Sequence, residues 1–93
     1  MKQYYIYILT NKYRTTFYIG MTNDLNRRTS QHNDNMGSVF TSKYNLTDLI
    51  YYELYNNVDQ AISREKQLKN WKKEWKINLI KTTNPNLETL TIL

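Results

Sequence analysis

The sequence contains no cysteine and only one histidine, His32. Without thiols the chain can form no disulfide, no zinc–thiolate centre and no cysteine nucleophile, and one histidine is too few for a multi-histidine metal site. Any metal ion must therefore be bound by oxygen atoms, which hard cations such as Mg²⁺ prefer. The lack of cysteine is also consistent with a cytoplasmic location, which we expect for this protein.

Long apolar runs are missing as well. No stretch approaches the roughly 18 residues of a membrane-spanning helix. The first residues, Met1-Lys2-Gln3, lead directly into an alternating pattern and not into the apolar region of a signal peptide. The 93 residues are enough for one domain with a modest core. We therefore expect a single domain over residues 1–93 that has no membrane contact.

Glycine is scarce, with only two residues in the chain. A glycine-rich phosphate loop is therefore excluded, and no Gly-x-Ser-x-Gly motif or Ser/His/Asp arrangement supports acyl transfer. One of the two glycines, Gly20, ends the strand-like segment Phe17-Tyr18-Ile19. A glycine at such a position often marks the close approach of another chain segment or of a ligand.

Basic and aromatic residues are abundant by contrast. Thirteen lysines and arginines against eight acidic residues give a net charge of +5, and the chain has nine tyrosines and two tryptophans. Phosphates pair with positive charge and bases stack on aromatic rings, so this composition favours a nucleic-acid partner. Many small proteins are basic without binding nucleic acid, and charge alone does not separate the two interpretations.

Three segments have the pattern of β-strands. Residues 5–9 and 17–20 alternate between two faces and are joined by a polar loop, which is typical of an antiparallel hairpin. Tyr7 and Tyr18 lie on the two strands of this hairpin. A third strand is predicted over Leu49–Tyr55.

A helix is predicted after the hairpin, with Thr22 or Asn23 as its N-cap. Helical spacing places Leu25, Arg28 and His32 on one face. Since Leu25 should face the sheet, we expect Arg28 and His32 to point towards the edge of the sheet and not away into water.

Residues 33–45 have the composition of a long polar loop. We expect Phe40 and Tyr44 to pack this loop onto the core. Lys43 is either ordinary surface or a contact for a phosphate.

A second long helix is predicted from Gln60 to about Asn70, with Asn57 or Asp59 as its cap. Glu65 lies on its apolar side, because its helical neighbours are Ala61, Ile62 and Leu68. An unpaired buried carboxylate costs several kcal/mol, so it needs a partner. The two alternatives are a buried ion pair with an arginine and a metal ligand, and we favour the metal ligand.

A last helix is predicted from Trp71 to Lys81. A stripe at helical spacing should pack into the core: Trp71, Trp75 and Leu79. Most lysines lie off this stripe: Lys69, Lys72, Lys73 and Lys76. They form either a solvated face or a surface that binds a phosphate backbone, and their density gives the second interpretation equal weight.

The order of these motifs resembles the GIY-YIG endonuclease family. The resemblance rests on Tyr5-Ile6-Tyr7, on Tyr18-Ile19-Gly20, on Arg28 and His32, and on the helix that carries Glu65. It covers nearly the whole chain and is strongest to small single-domain bacterial members of unassigned biological role. It implies an α+β fold, with a small three-stranded antiparallel sheet flanked by about three helices.

The resemblance also implies an activity, namely metal-dependent hydrolysis of a phosphodiester bond in DNA, with a role in DNA repair or processing. One divalent ion, Mg²⁺ or Mn²⁺, is expected as cofactor. Tyr7 and Tyr18 would be the active-site tyrosines, and Arg28 would bind the scissile phosphate. His32 would assist proton transfer, and Glu65 would be the sole protein ligand of the metal.

Three further expectations follow from the comparison with this family. Asn84 matches a late asparagine that helps to position the site, and we assign it to nucleic-acid binding. Tyr5 replaces a glycine of the family motif, and Met21 replaces a lysine of some repair nucleases, which would weaken phosphate binding. No second domain for DNA specificity is evident, so a partner protein would supply it.

Two alternatives to a nuclease stay open. The first is a nucleic-acid binding module that keeps the fold but has little or no turnover. The second, which we favour least, is a protein-interaction domain that uses the tyrosine-rich surface. The sequence does not specify the oligomeric state.

Overall fold

The structure, a computed structural model, describes residues 2–33 and 39–91, apart from the side chains of residues 32, 33 and 39. Within this part of the chain there are three strands and four helices, as follows: β1 Tyr4–Thr10, β2 Phe17–Thr22, α1 Leu25–Asn33, α2 Val39–Lys43, β3 Asp48–Tyr55, α3 Val58–Lys69 and α4 Lys73–Lys81. The predicted α+β class is confirmed. None of the described helices is long and apolar enough to cross a bilayer.

The three strands form one antiparallel sheet in the order β2-β1-β3, so β1 is central and β2 is an edge strand. Tyr7 in β1 lies opposite Gly20 in β2 and Tyr52 in β3. The register with β3 shifts between Ile8 and Leu9. The predicted hairpin and third strand are confirmed, and each strand is slightly longer than predicted.

Each face of the sheet carries its own core. On one face, Ile6 and Ile8 pack with residues of α3 and α4 such as Leu68 and Ile80, and we call this cluster the first core. On the other face lies the second core, in which Tyr7 and Leu9 pack with three leucines: Leu25, Leu46 and Leu49. The strand alternation predicted this division, because side chains of period two point to opposite faces.

Two local predictions were wrong. Residues 33–45 contain the short helix α2 where a loop was predicted. The cap of α1 is Asp24 and neither Thr22 nor Asn23, since the Asp24 carboxylate accepts a hydrogen bond from the Arg27 amide at 3.1 Å. The Thr22 hydroxyl instead accepts from the Asp24 amide at 3.1 Å and so supports the capping residue.

The predicted tryptophan stripe is also only partly correct. The last helix begins at Lys73 and not at Trp71, because the chain turns between α3 and α4. Trp71 therefore does not share a continuous helical face with Trp75. Trp71 and Leu79 pack against the first core, whereas Trp75 is half exposed and meets the Trp71 ring edge-on at 6.1 Å.

A partly buried ion pair with an arginine is present, but at Glu53 and not at Glu65. Arg64 on α3 donates from Nε and Nη2 to the two Glu53 carboxylate oxygens, each at 2.9 Å. The hydroxyls of Tyr51 and Tyr55 donate to the same carboxylate. These bonds hold the pKa of Glu53 below its usual range although burial opposes them. The network joins α3 to β3.

The C-terminal segment is fastened to the hairpin loop and to β3. Arg14, at a left-handed φ of 57°, donates from Nε to the Leu87 carbonyl at 2.9 Å and pairs with Asp48. The buried Asn84 amide donates to the carbonyls of Ile50 and Glu88 at 2.9 and 2.7 Å. Residues 84–90 are therefore part of the packed domain.

Candidate active site

The site begins with the contact between Tyr7 and Gly20. A Cβ atom added at Gly20 would lie 2.4 Å from both Cζ and Oη of Tyr7, so the phenol lies directly over the glycine. Because β2 is the edge strand, this route takes the Tyr7 hydroxyl from the centre of the sheet to its edge. The close approach that Gly20 predicted is confirmed, and the approaching group is a tyrosine side chain.

Arg28 meets Tyr7 at this edge. Leu25 is buried in the second core and fixes α1 against the sheet, and Arg28 lies one turn further along the same helical face. Its Nε donates to the Tyr7 hydroxyl at 3.3 Å, and its Nη1 donates to the Gln31 side chain at 3.1 Å. The hydrogen bond to Tyr7 raises the pKa of Arg28, so the guanidinium is always charged.

Burial raises the pKa of Tyr7 to about 12. The hydrogen bond from Arg28 opposes this effect, and the nearby Tyr18 and Glu65 side chains add to it. Desolvation disfavours the phenolate more than the guanidinium stabilises it. Tyr7 is therefore a neutral phenol at pH 7.

Four aromatic rings extend from Arg28 to the surface, and we call them the aromatic row: Tyr7, Tyr18, Phe40 and Tyr44. The ring centroids of Tyr7 and Tyr18 are 6.2 Å apart, and those of Tyr18 and Phe40 are also 6.2 Å apart. Phe40 and Tyr44 follow at 4.8 Å. The row places the two motif tyrosines side by side and continues them with rings of α2 and the residue just after it.

Phe40 and Tyr44 were predicted to pack onto the core, and this prediction was wrong. Phe40 is 44% exposed and Tyr44 is 43% exposed. No pattern in the sequence indicates their position beside Tyr18, because the segment between them has no regular periodicity. Gln31, which accepts from Arg28, was also missed, although its spacing of three residues on a helix is one at which side chains meet.

Glu65 lies on α3 and is close enough to Tyr7 for its charge to raise the Tyr7 pKa. Its side chain is 21% exposed, and its carboxylate pairs with Lys69, one turn further along α3, at 3.6 Å. This long pair with a half-exposed lysine is weak. Glu65 is therefore less buried than predicted, and its carboxylate has a lysine partner and not an arginine.

The remaining predicted site residues are spread over the molecule. The backbone of His32 continues α1 one turn after Arg28, but its side chain lies outside the described residues. Lys72 and Lys73 are exposed, Lys76 is half buried, and Lys73 donates to the Thr15 carbonyl. Asn84 is buried within hydrogen bonds to its own chain, which gives no support to the predicted contact with nucleic acid.

The described residues contain no group of three or more histidine and acidic side chains that would enclose a metal ion. A single carboxylate can still fit Mg²⁺, which keeps several waters and is often bound through one or two carboxylates and substrate phosphates. Glu65 meets that requirement, because it is a weakly paired oxygen donor close to Tyr7.

Comparisons with known proteins agree with this geometry. A family model described as the GIY-YIG catalytic domain matches residues 3–78. A UPF0213 protein of Staphylococcus saprophyticus is 30% identical over 86% of this chain and 96% of its own length. A UPF0213 protein of Clostridium perfringens is 36% identical over 82% of this chain and 81% of its own.

A solved structure has the same fold. The solution NMR structure of the UPF0213 protein from Bacillus halodurans superposes with a TM-score of 0.60 and 24% identity, and the match covers 92% of this chain and 90% of that one. The sheet and its flanking helices are thus shared with an experimentally determined structure.

Proposed function

Because the chain belongs to the family of GIY-YIG catalytic domains, we propose that it is an endonuclease that hydrolyses phosphodiester bonds in DNA with the help of one divalent ion. The observation that carries this proposal is the contact of Arg28 with Tyr7 above Gly20. This contact places the positively charged Arg28 guanidinium beside the Tyr7 hydroxyl at the edge of the sheet. Repair or processing of DNA would be the setting of such an activity.

Arg28 would bind the scissile phosphate. Its Nε and Nη1 are held by two neutral acceptors, so its charge is kept for an anion. The planar guanidinium presents donors in a fork that matches two phosphate oxygens. Negative charge accumulates on these oxygens during the reaction, and a positioned donor stabilises it most at that stage.

The two tyrosines would have different roles. Tyr7 is buried and keeps its proton at pH 7, so it would orient Arg28 and donate a hydrogen bond to the substrate. Tyr18 is only half buried and is the tyrosine that can meet a water molecule from solvent. In its phenolate form, Tyr18 would accept the proton of the attacking water, and His32 on α1 is a further candidate for this role.

Glu65 would hold the divalent ion, Mg²⁺ or Mn²⁺. A bound ion stabilises negative charge on the leaving oxygen and on the phosphate. The Glu65 carboxylate would leave its weak pair with Lys69 to bind it, which frees the lysine for a neighbouring phosphate.

The test is cleavage of labelled duplex, single-stranded and branched DNA with and without Mn²⁺. Glu65→Ala should abolish metal-dependent cleavage, whereas Glu74→Ala, which removes an exposed carboxylate from α4, should leave it unchanged. Cleavage that persists in Glu65→Ala would remove the assigned metal ligand. If the wild-type protein cuts no DNA form with either ion, the nuclease proposal fails.

The second candidate is a nucleic-acid binding module with little turnover, and the lysines of α4 favour it. Lys72 and Lys76 would contact a phosphate backbone together with Lys69 and Lys73, although Lys73 already donates to Thr15. Binding should then be strongly salt-dependent, survive Glu65→Ala and weaken when Lys72 and Lys76 are neutralised. A partner protein would in that case supply specificity.

A further inference from the structure

We propose that Phe40 and Tyr44 form a base-stacking subsite, which binds one unstacked nucleobase of the strand whose phosphate reaches Arg28. The inference rests on the proposed nuclease function and deepens it, because it names the part of the substrate that contacts the outer half of the aromatic row. Neither residue belongs to the motifs from which the active site was predicted.

The position of the two rings is the first argument. Phe40 lies nearly parallel to Tyr18, with 29° between the ring planes and 6.2 Å between the centroids. Tyr44 follows at 4.8 Å. The rings thus extend the row outward from the residues that would meet the scissile phosphate. A nucleotide next to that phosphate would bring its base to them.

The second argument is that packing does not account for the rings. Among the described residues, the partly buried hydrophobic side chains packed against the second core are Tyr5, Tyr18 and Leu90, whereas Phe40 and Tyr44 are exposed. Single exposed apolar residues are common on protein surfaces. Two large rings in contact with each other and with a site tyrosine form a patch, and such patches mark binding sites.

The charge beside the rings specifies the ligand. The Lys43 ammonium lies 5.5 Å from the centre of the Tyr44 ring. An aromatic face next to a lysine offers a stacking surface for a base and a positive charge for its phosphate, which is how proteins bind unpaired strands. A base inside an intact duplex has no free face, so the bound base must be unpaired or flipped out.

The experiment uses short DNA strands that carry photoreactive 5-iodouracil at successive positions, with the full chain in a chelating buffer that prevents cleavage. We expect crosslinking to Phe40 or Tyr44 from one or two adjacent positions only. Phe40→Ala should weaken binding about 5- to 150-fold, which is the range that loss of one base stack gives. Phe40→Tyr, which keeps a ring, should restore binding.

The matched control is Tyr13→Ala. Tyr13 is 77% exposed and has the Lys12 ammonium 5.8 Å from its ring, so it repeats the tyrosine–lysine pair in the hairpin loop. It should change neither affinity nor crosslinking. Phe40→Leu keeps the apolar volume without the ring, and it replaces Phe40→Ala in the test if the alanine variant does not fold.

Two results would overturn the subsite. One is wild-type affinity in both Phe40→Leu and Tyr44→Ala, and the other is crosslinking that does not depend on the position of the probe. Because neither readout needs cleavage, the two proposals can fail separately. A protein that crosslinks through Phe40 but never cuts DNA would contradict the nuclease and keep the subsite.

Discussion

Two arginines on opposite faces of the sheet have opposite surroundings. Arg64, on the face covered by α3, gives two hydrogen bonds of 2.9 Å to the Glu53 carboxylate and lies against the Trp71 ring. Arg28, on the other face, donates to a tyrosine hydroxyl and to a glutamine amide, and the ion pairs of the described residues do not include it. Among the described residues, a carboxylate neutralises the charge of Arg64, and none neutralises that of Arg28.

This difference shows how one residue type serves two purposes in a small domain. A carboxylate partner gives Arg64 a structural role but uses up its charge. Neutral partners orient Arg28 without neutralising its positive charge, so the guanidinium can still bind an anion. The surroundings of each arginine therefore distinguish the structural role of Arg64 from the proposed phosphate-binding role of Arg28.

The contrast between the two arginines would fail if Arg28→Ala lowered stability and Arg64→Ala lowered activity. We expect Arg28→Ala to lower the cleavage rate about 100- to 1000-fold, as removal of one donor to a developing charge does, with little change in stability. Arg28→Lys should not restore the rate, because an ammonium lacks the planar fork. Cleavage kinetics and thermal unfolding of the same samples would measure both.

Arg64→Ala is the matched variant and should do the reverse. It leaves Glu53 without its partner, and we expect a loss of about 2 kcal/mol, below the range for a fully buried pair because both side chains are partly exposed. Urea unfolding would measure the loss. A large drop in activity per folded molecule would contradict the division between the two faces.

The burial of Tyr7 beside Arg28 should make the stability of the fold depend on alkaline pH. Its pKa is raised from 10.0 to about 12 in the folded chain. The neutral phenol thus contributes stability that is present below pH 10 and is lost as the pH rises to 12. The difference of two units corresponds to about 2–3 kcal/mol. Tyr7→Phe should lose less stability than the wild type between pH 10 and 12 in unfolding titrations.

Gly20→Ala should cost less stability than Arg64→Ala. The added methyl group would lie 2.4 Å from the Tyr7 ring, so the phenol must move. We expect a cost of about 1–2 kcal/mol and a slower reaction, because the Tyr7 hydroxyl would leave Arg28. Since Gly20 has no positive φ, backbone strain does not contribute. An unchanged rate in Gly20→Ala would mean that the Tyr7–Arg28 contact is not needed.

The strands, the division into two faces and the contact at Gly20 could be predicted because they depend on local alternation and on one unusual residue. The link between Arg64 and Glu53 could not, because it joins a helix to a strand and nothing in either segment specifies the partner. Glu65 was placed on the correct helix, but its exposure depends on how α3 sits on the sheet. The assigned site roles stay predictions until activity is measured.

The Arg14 contacts have a consequence for the order of folding. Arg14 donates to the carbonyl of Leu87, 73 residues later in the chain, and to the hydroxyl of Thr89, 75 residues later. During synthesis, the hairpin loop leaves the ribosome long before these acceptors exist. Closing so long a loop is slow and comes late, so until residue 89 has been made Arg14 lacks these two contacts and has only partners earlier in the chain, such as Asp48. A nascent chain stopped before that point would carry a hairpin loop that is not yet hydrogen-bonded to the C-terminal segment.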